Sequence, residues 1–288
     1  MANILTVKRR IQTALNVSKT TRAMQMIATS KLKRGQDQAL SSRPYVEKLV
    51  FLAKNIADRL PEDVVTDYMR ASKDAKKTLL LVFSPDKGLC GGLITSITKE
   101  LLNEDKNTKA IFYLTVGKKI ENTVAKLGKE IAASFEFGTT LPSFDMVYPL
   151  AKIVDDYFLE EKVSEVKILY SHFVSVFSQI PKVEAILPIK IPESVDKEGT
   201  VSFTLFEPSP SQILPALLRH YLEMTLYQYL LESYASEQAA RMIAMKNATE
   251  NAGDIIDYLK LEYNKQRQEK ITNEILDIGG AAAALLYD

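Results

Sequence analysis

Residues 239–253 read AARMIAMKNATENAG, and an alanine recurs at every fourth position of this stretch. On a helix, positions four apart lie along one face, so the alanines are expected to form a ridge of small side chains. Such a ridge lets a partner backbone come closer than the roughly 8–10 Å at which helices usually pack. High helix propensity is the alternative reason for alanine, but it does not explain the spacing. The ridge consists of Ala240, Ala244, Ala248 and Ala252.

The stretch lies within residues 210–288, which are expected to form one long helix. After Pro215 this segment has no proline and only three glycines, and its length at about 1.5 Å per residue would be on the order of 100 Å. Residues 1–59 contain only Gly35 and Pro44 as helix breakers, and their apolar residues follow a helical spacing. We expect the two segments to pair antiparallel as one coiled-coil shaft. The small residues of the first helix expected to face the ridge are Ala14, Ser18 and Ala28.

Residues 75–207, between the two helical segments, have the pattern of an α/β domain. Continuous apolar runs rich in β-branched and aromatic residues predict buried strands at 77–84, 110–116 and 166–177. Helical patterns are present at 91–104, 117–128 and 148–162. Because strands alternate with helices, we expect a mostly parallel, Rossmann-like sheet. Two further strands, flanked by prolines and expected to form an edge hairpin, are predicted at 182–192 and 201–208.

The charge of the chain is distributed unevenly, although its net charge is only +1 at pH 7. Residues 1–59 contain twelve basic and three acidic side chains, a local net of +9, whereas residues 235–288 contain six basic and nine acidic ones, a local net of −3. The single cysteine excludes an internal disulfide, and no apolar run approaches the roughly 20 residues of a membrane span. The start of the chain has no apolar signal-peptide core. We therefore expect a soluble, cytoplasmic protein whose first helix has positive charge available for a partner.

Catalytic motifs are not found. The segment SPDKGLCGGLITS at 84–96 follows a predicted strand and opens a helix, which is where a phosphate cradle would lie, but its glycines do not form G-x-G-x-x-G. His172 and His220 have no acidic or cysteine neighbours at metal-ligand spacing, and Cys90 has no evident base partner. The sequence therefore predicts no catalytic residue, no metal and no cofactor.

Two other classes of protein remain as alternatives at this stage. A basic coiled coil could bind nucleic acid through phosphate contacts, although its first helix has no aromatic residue before Tyr45. A nucleotide-dependent enzyme could be built on the α/β domain, although the failed glycine pattern disfavours it.

Four motifs resemble one family along the whole chain. TTRAMQMIATSKL (20–32), DKGLCGGL (86–93), ASEQAARMIAMKNATENAG (235–253) and YNKQRQEKITNEILDIGGAAAA (263–284) resemble the gamma subunit of rotary ATP synthases. The family usually has Arg at the position of Lys87, Asn at that of Ile94 and Gly at that of Ala281. The resemblance implies a non-catalytic central rotor shaft without a cofactor, which couples ion flow to ATP synthesis or hydrolysis. Implied partners are the alpha and beta subunits, the epsilon subunit and the membrane ring of c subunits, at the cytoplasmic face of the bacterial plasma membrane.

The resemblance also implies three groups of subunit contacts. A neck near acidic loops of the beta subunits comprises Arg9, Arg10, Lys19, Arg22, Met24, Lys31, Lys33 and Arg34. An upper catch, which hydrogen-bonds to loops of the beta subunits, comprises Arg267, Gln268, Thr272 and Glu274. A foot that touches the c ring comprises Phe206 and Glu207. Residues 277–288 turn apolar, and we expect them to be the end of the shaft that the alpha and beta subunits enclose.

Overall fold

The computed structural model describes residues 4–57, 66–72, 75, 77–108, 110–190 and 206–284, with side chains up to residue 278. The chain forms two compact units. The first, called the shaft unit here, comprises residues 1–27 and 242–288, and the second, the sheet unit, comprises residues 28–241. Of the strand predicted at 201–208, residues 201–205 lie outside the described residues and residues 206–208 do not form a strand. The side chains of the apolar tip beyond Ile278 also lie outside the described residues.

Two long helices are present, as predicted. Helix α1 extends from Ile4 to Ala57 with Pro44 inside it, and helix α5 extends from Pro210 to Ala284 with Pro215 near its start. Pro215 is the sixth residue of α5, and the helix continues past it. Neither Pro44 nor Gly35 ends α1.

The sheet unit contains a five-stranded sheet with the order β3-β2-β1-β4-β5. Neighbouring strands are parallel except for β4 and β5, which pair antiparallel. The mostly parallel sheet of the prediction is therefore confirmed, and β5 pairs with β4 along nearly its whole length, from Val166 to Ser175. The strands are β1 Thr78–Phe83, β2 Ile111–Val116, β3 Ile131–Phe135, β4 Glu165–Ser175 and β5 Ser178–Leu187.

Helices cover both faces of this sheet. Successive side chains of a strand point to opposite faces. Leu79 and Leu81 of β1 accordingly belong to a core cluster with α4 and α5, while Leu80 and Val82 belong to a second cluster with α2 and α3. All six residues of β1 are buried, as its continuous apolar run predicts. The three shorter helices are α2 Leu93–Asn107, α3 Lys118–Lys126 and α4 Val147–Phe158.

Helix α1 carries a stripe of buried and half-buried positions that repeats every seven residues. A seven-residue repeat is the period of a coiled coil, because it keeps the stripe facing its partner. Mainly small or polar side chains occupy the middle of the stripe, and larger aliphatic ones occupy its ends. Its members are Ile4, Val7, Ile11, Ala14, Ser18, Thr21, Gln25, Ala28, Leu32, Gly35, Ala39, Ser42, Val46, Leu49, Ala53 and Ile56.

The two helices pair antiparallel. In the sheet unit, a Cβ on Gly35 would touch the Tyr234 ring, whereas Tyr45, further along α1, lies with its Oη 2.9 Å from Nε2 of His220, which is earlier in α5. In the shaft unit, the hydroxyl oxygens of Thr21 and Thr249 are 2.7 Å apart. The residue numbers of α5 fall as those of α1 rise, so the predicted antiparallel coiled coil is confirmed.

Replacing Gly35 by Leu is expected to destabilise the protein, because a Cβ at this position would lie 3.0 Å from Cδ1 of Tyr234. Overpacking of this kind costs about 1–3 kcal/mol. Urea unfolding of the purified chain should show a lower midpoint with an unchanged slope. The control is Gly253→Leu, because a Cβ there meets no heavy atom within 4 Å and leucine favours a helix over glycine. Equal destabilisation at both positions would contradict a special closeness at Gly35.

Candidate functional site

The topology of the sheet creates a crevice at the carboxyl ends of β1 and β4. Strand β1 has β2 on one side and β4 on the other, so the connections leave it in opposite directions. Small molecules bind at such switch points in open α/β sheets. Here only a cavity of about 40 Å³ remains, far below the roughly 300–1,000 Å³ of a typical ligand pocket.

Helix α5 fills the rest of this crevice. Leu230, Ser233, Tyr234 and Glu237 of α5 line the remaining cavity together with Ser84, which follows β1. A nucleotide in this position would have to displace part of the long helix. Packing therefore disfavours a nucleotide at this switch point, in agreement with the missing glycine pattern.

The carboxylate of Asp86 bonds to two backbone N–H groups beside the crevice. Its Oδ1 accepts a hydrogen bond from the backbone N–H of Lys118 at 3.0 Å, and its Oδ2 accepts one from the N–H of Gly138 at 2.6 Å. Lys118 is the first residue of α3, and a helix N-terminus favours a negative charge. Gly117 precedes it with φ 109°, and a Cβ there would lie 1.9 Å from the carbonyl oxygen of Ser84. The chain thus supplies its own negative charge to the N-terminus of α3.

Arg241 connects α5 to the loop that follows β1. Its Nη1 donates to Oε1 of Glu237 at 2.6 Å, and its Nη2 donates to the carbonyl oxygens of Lys87 at 3.2 Å and Gly88 at 3.3 Å. Burial raises the pKa of the Glu237 carboxyl above its ordinary value, and the Arg241 guanidinium opposes that rise. Burial also raises the pKa of the nearby Cys90 thiol, which leaves it protonated and unreactive at neutral pH.

Both histidines have carboxylate partners, one distant in sequence and one only three residues away. His172 Nδ1 lies 2.7 Å from Oε2 of the buried Glu232, whose Oε1 accepts a hydrogen bond from Arg43 at 3.2 Å. His220 Nδ1 lies 3.6 Å from Oε2 of Glu223. The sequence alone missed the His172 pair because 60 residues separate its members. Within the described part of the chain, no group of three His, Cys, Asp or Glu side chains could hold a metal ion.

The predicted neck residues lie on the outside of α1, with one exception. Lys31 is half-buried, and its Nζ donates to the carbonyl oxygen of Thr139 at 2.5 Å. The other basic members are exposed, and none forms an ion pair with a described acidic residue. Met24 is 37% exposed, so it offers apolar surface to the outside. The exposed basic members are Arg9, Arg10, Lys19, Arg22, Lys33 and Arg34.

The predicted catch lies on a part of α5 whose side chains are all exposed, from position 267 to position 278. Within it, the Thr272 hydroxyl donates to the carbonyl oxygen of Gln268 at 2.9 Å, and Glu274 lies 3.6 Å from Lys270. Arg267 is exposed on the same surface. Four large aliphatic side chains are exposed with them, and such apolar surface typically marks a site of contact with another protein. These are Ile271, Ile275, Leu276 and Ile278.

The two residues of the predicted foot differ in their surroundings. Phe206 packs partly against the first core cluster, whereas Glu207 is exposed. Of the two, Glu207 therefore presents its side chain to a partner more fully.

The four alanines of the predicted ridge do not share one environment. Ala240 packs against the second core cluster of the sheet unit, Ala244 and Ala248 are half-buried, and Ala252 is buried in the shaft unit. A step of four residues turns about 40° beyond a full helical turn, so a ridge of this spacing drifts around the helix. Alternating steps of three and four correct the drift. The buried and half-buried stripe of α5 in the shaft unit accordingly consists of Met245, Thr249, Ala252, Ile256, Leu259, Tyr263 and Gln266.

Replacing Asp86 by Ala should lower the free energy of unfolding by about 1 kcal/mol or more, because it removes the acceptor at the start of α3. Asp86→Asn keeps one acceptor oxygen and should lose less. Chemical denaturation of the two variants and the unaltered chain measures the difference. Equal stability of the alanine variant and the unaltered chain would show that the carboxylate does not hold the two loops.

Comparison with known proteins gives a consistent result along the whole chain. A family model described as ATP synthase matches residues 3–285. The chain is 37% identical to an ATP synthase gamma chain of Dehalococcoides mccartyi and 38% identical to one of Glaesserella parasuis, in each case over 99% of this chain and 100% of the relative. No helix of the described residues has the length and apolar character needed to cross a bilayer.

Two solved structures share the fold. A chain of the Tetrahymena thermophila mitochondrial ATP synthase central stalk and c ring superimposes with a TM-score of 0.59 at 25% identity, covering 80% of this chain and 99% of the other. A chain of the Euglena gracilis mitochondrial ATP synthase reaches a TM-score of 0.66 at 17% identity, covering 97% of this chain and 94% of the other.

Proposed function

The chain belongs to the gamma-chain family of ATP synthases, and from this premise we propose that it is the central rotor shaft of such a complex. In this role it couples ion flow through the membrane ring of c subunits to conformational cycling of the catalytic sites on the beta subunits. The observation that carries the proposal is the antiparallel pair of long helices, whose small contact residues allow a thin shaft and whose outer surface carries basic and apolar side chains.

The subunit itself is proposed to be non-catalytic. Two features of the crevice support this. The carboxylate of Asp86 supplies a negative charge to the N-terminus of α3, and Tyr234 and Glu237 take the space of a ligand. ATP hydrolysis and synthesis would then be carried out by other subunits of the complex.

Different surfaces of the chain suit different partners. The exposed basic residues of α1 fit acidic loops of the beta subunits, and the exposed aliphatic residues near the end of α5 fit an apolar sleeve of alpha and beta subunits. The sheet unit, with Glu207 exposed, is proposed to meet the epsilon subunit and the c ring. The complex would place the chain at the cytoplasmic face of a bacterial plasma membrane, as a peripheral subunit.

Affinity purification from the native source tests the proposal directly. The shaft requires alpha and beta subunits to copurify at moderate salt. A basic coiled coil that binds nucleic acid would instead retain nucleic acid, with an affinity that falls steeply as salt rises. Recovery of nucleic acid without alpha and beta subunits would overturn the shaft proposal.

Met24→Lys should impair coupling, because it adds a positive charge between basic residues at the proposed neck. In membranes that carry the assembled complex, ATP hydrolysis should continue while ion pumping per ATP falls. Like charges about 4 Å apart repel by a few kcal/mol at the effective dielectric constant of a protein surface, which is enough to disturb a contact. Met24→Leu keeps the apolar side chain and is the matched control. Unchanged ion pumping by the Met24→Lys variant would show that Met24 is not part of the proposed neck contact.

Changing Arg267 and Gln268 together to Ala should slow steady-state ATP hydrolysis of the assembled complex by roughly tenfold, if the lost hydrogen bonds stabilise the rate-limiting step by about 1.4 kcal/mol. The control is the double change of Asn264 and Lys265 to Ala, since both are exposed on the same helix outside the proposed catch. Equal turnover in both double variants would argue against the catch.

A further inference from the structure

We propose that two neighbouring loops, at residues 86–88 and 138–139, form a torsional joint that fixes both long helices to the sheet. In this joint Arg241 and Lys31 are positioning residues for torque transfer. The inference rests on the proposed function and adds to it the place where rotation of the sheet unit is transmitted to the helices. All contacts of the joint lie within the sheet unit.

At the joint, the guanidinium of Arg241 on α5 has three acceptors, two of which belong to the first loop. The Arg241 side chain, 13% exposed, pairs with the 10% exposed side chain of Glu237 one turn earlier. Its second nitrogen donates to two successive carbonyl oxygens, those of Lys87 and Gly88. A planar guanidinium presents fixed donors in several directions, so it can hold a carboxylate and a loop at the same time, which a lysine ammonium does less well. Arg241 thereby connects α5 to the first loop.

Helix α1 is held at the second loop. The Lys31 ammonium donates to the carbonyl oxygen of Thr139 at 2.5 Å. The preceding residue, Gly138, donates its N–H to Asp86 at 2.6 Å, and Asp86 also accepts from the first turn of α3 at 3.0 Å. The Asp86 carboxylate therefore ties the two loops to each other and to the helix that follows β2.

Three polar contacts join α5 to strands β4 and β5: His172 Nδ1 lies 2.7 Å from Oε2 of Glu232, the Tyr229 hydroxyl donates to Oε2 of Glu184 at 2.6 Å, and the Ser236 hydroxyl donates to the carbonyl oxygen of Ser171 at 2.8 Å. The joint adds directional bonds from the loops that follow β1 and β3, and the rest of the contact is largely apolar. Leu218, Leu222, Leu226 and Leu230 of α5 are buried in the first core cluster. Apolar contact holds surfaces together but is non-directional, so it resists sliding and turning weakly. Charge-assisted hydrogen bonds are shorter and stronger than neutral ones and specify an orientation. The joint supplies such bonds to both helices.

The test uses the whole membrane-bound complex. The variant Arg241→Met/Glu237→Gln removes the joint on α5 without leaving a buried unpaired charge, and Lys31→Met removes the contact on α1. With the catalytic head immobilised, the angular fluctuations of a probe on the c ring report torsional stiffness. We expect each variant at least to double the angular variance and to lower ion pumping per ATP. Lys246→Met is the control, since the ion pair that Lys246 makes among the described residues lies on the exposed surface of α5, with Glu250 at 3.9 Å.

The outcomes separate this inference from the proposed function. A wild-type chain that does not assemble with alpha and beta subunits, or does not rotate, overturns the proposed function. Wild-type rotation combined with unchanged angular variance in both variants overturns the joint alone. Where the double variant does not assemble, Arg241→Lys takes its place. This variant keeps the positive charge beside Glu237 but loses the planar guanidinium with its several donors. An increase in angular variance then supports the joint, and no increase overturns it.

Discussion

Two helices can lie against each other for many turns only if the side chains between them repeat with the period of the contact. Helix α1 meets this condition along its whole described length, with a buried or half-buried side chain at alternating steps of three and four. The middle of its stripe is built mainly from small or polar residues, with Leu32 among them, and at Gly35 the Tyr234 ring takes the space of a side chain. The close approach limits the thickness of the pair, and the charged residues are left on its outside.

The sheet unit has a switch point of the kind at which open α/β sheets bind ligands, but this switch point holds helix α5. Its strand order creates a crevice at the ends of β1 and β4, yet α5 lies in that crevice and Asp86 supplies the negative charge. The groups that would bind a ligand in an enzyme bind the helix and its neighbouring loops instead. Directional polar contacts at the switch point keep the orientation of the sheet relative to α5 fixed.

The periodicity of apolar residues in the sequence was sufficient to predict most of the fold. The apolar run of β1 and the proline-free terminal segments predicted buried strands and long helices because those patterns follow from burial itself. Strand β3, with the sequence IAASF, was not predicted, since it is short, only partly buried and rich in small residues. The partners of Asp86 and Arg241 were also out of reach, because 52 and 153 residues separate Asp86 from Gly138 and Arg241 from Gly88. Such contacts follow from the folded topology and leave no local pattern.

The antiparallel pairing also determines the order in which the chain can be completed during translation. Thr21 and Thr249 touch although 228 residues separate them, so the start of α1 emerges from the ribosome long before its partner exists. At about 5–20 residues per second the delay is roughly 10–45 seconds. A stripe of leucines would expose a large apolar surface for all of that time. The small and hydroxylated residues in the middle of the α1 stripe reduce the apolar surface that a chaperone or a neighbouring nascent chain could bind before α5 is made.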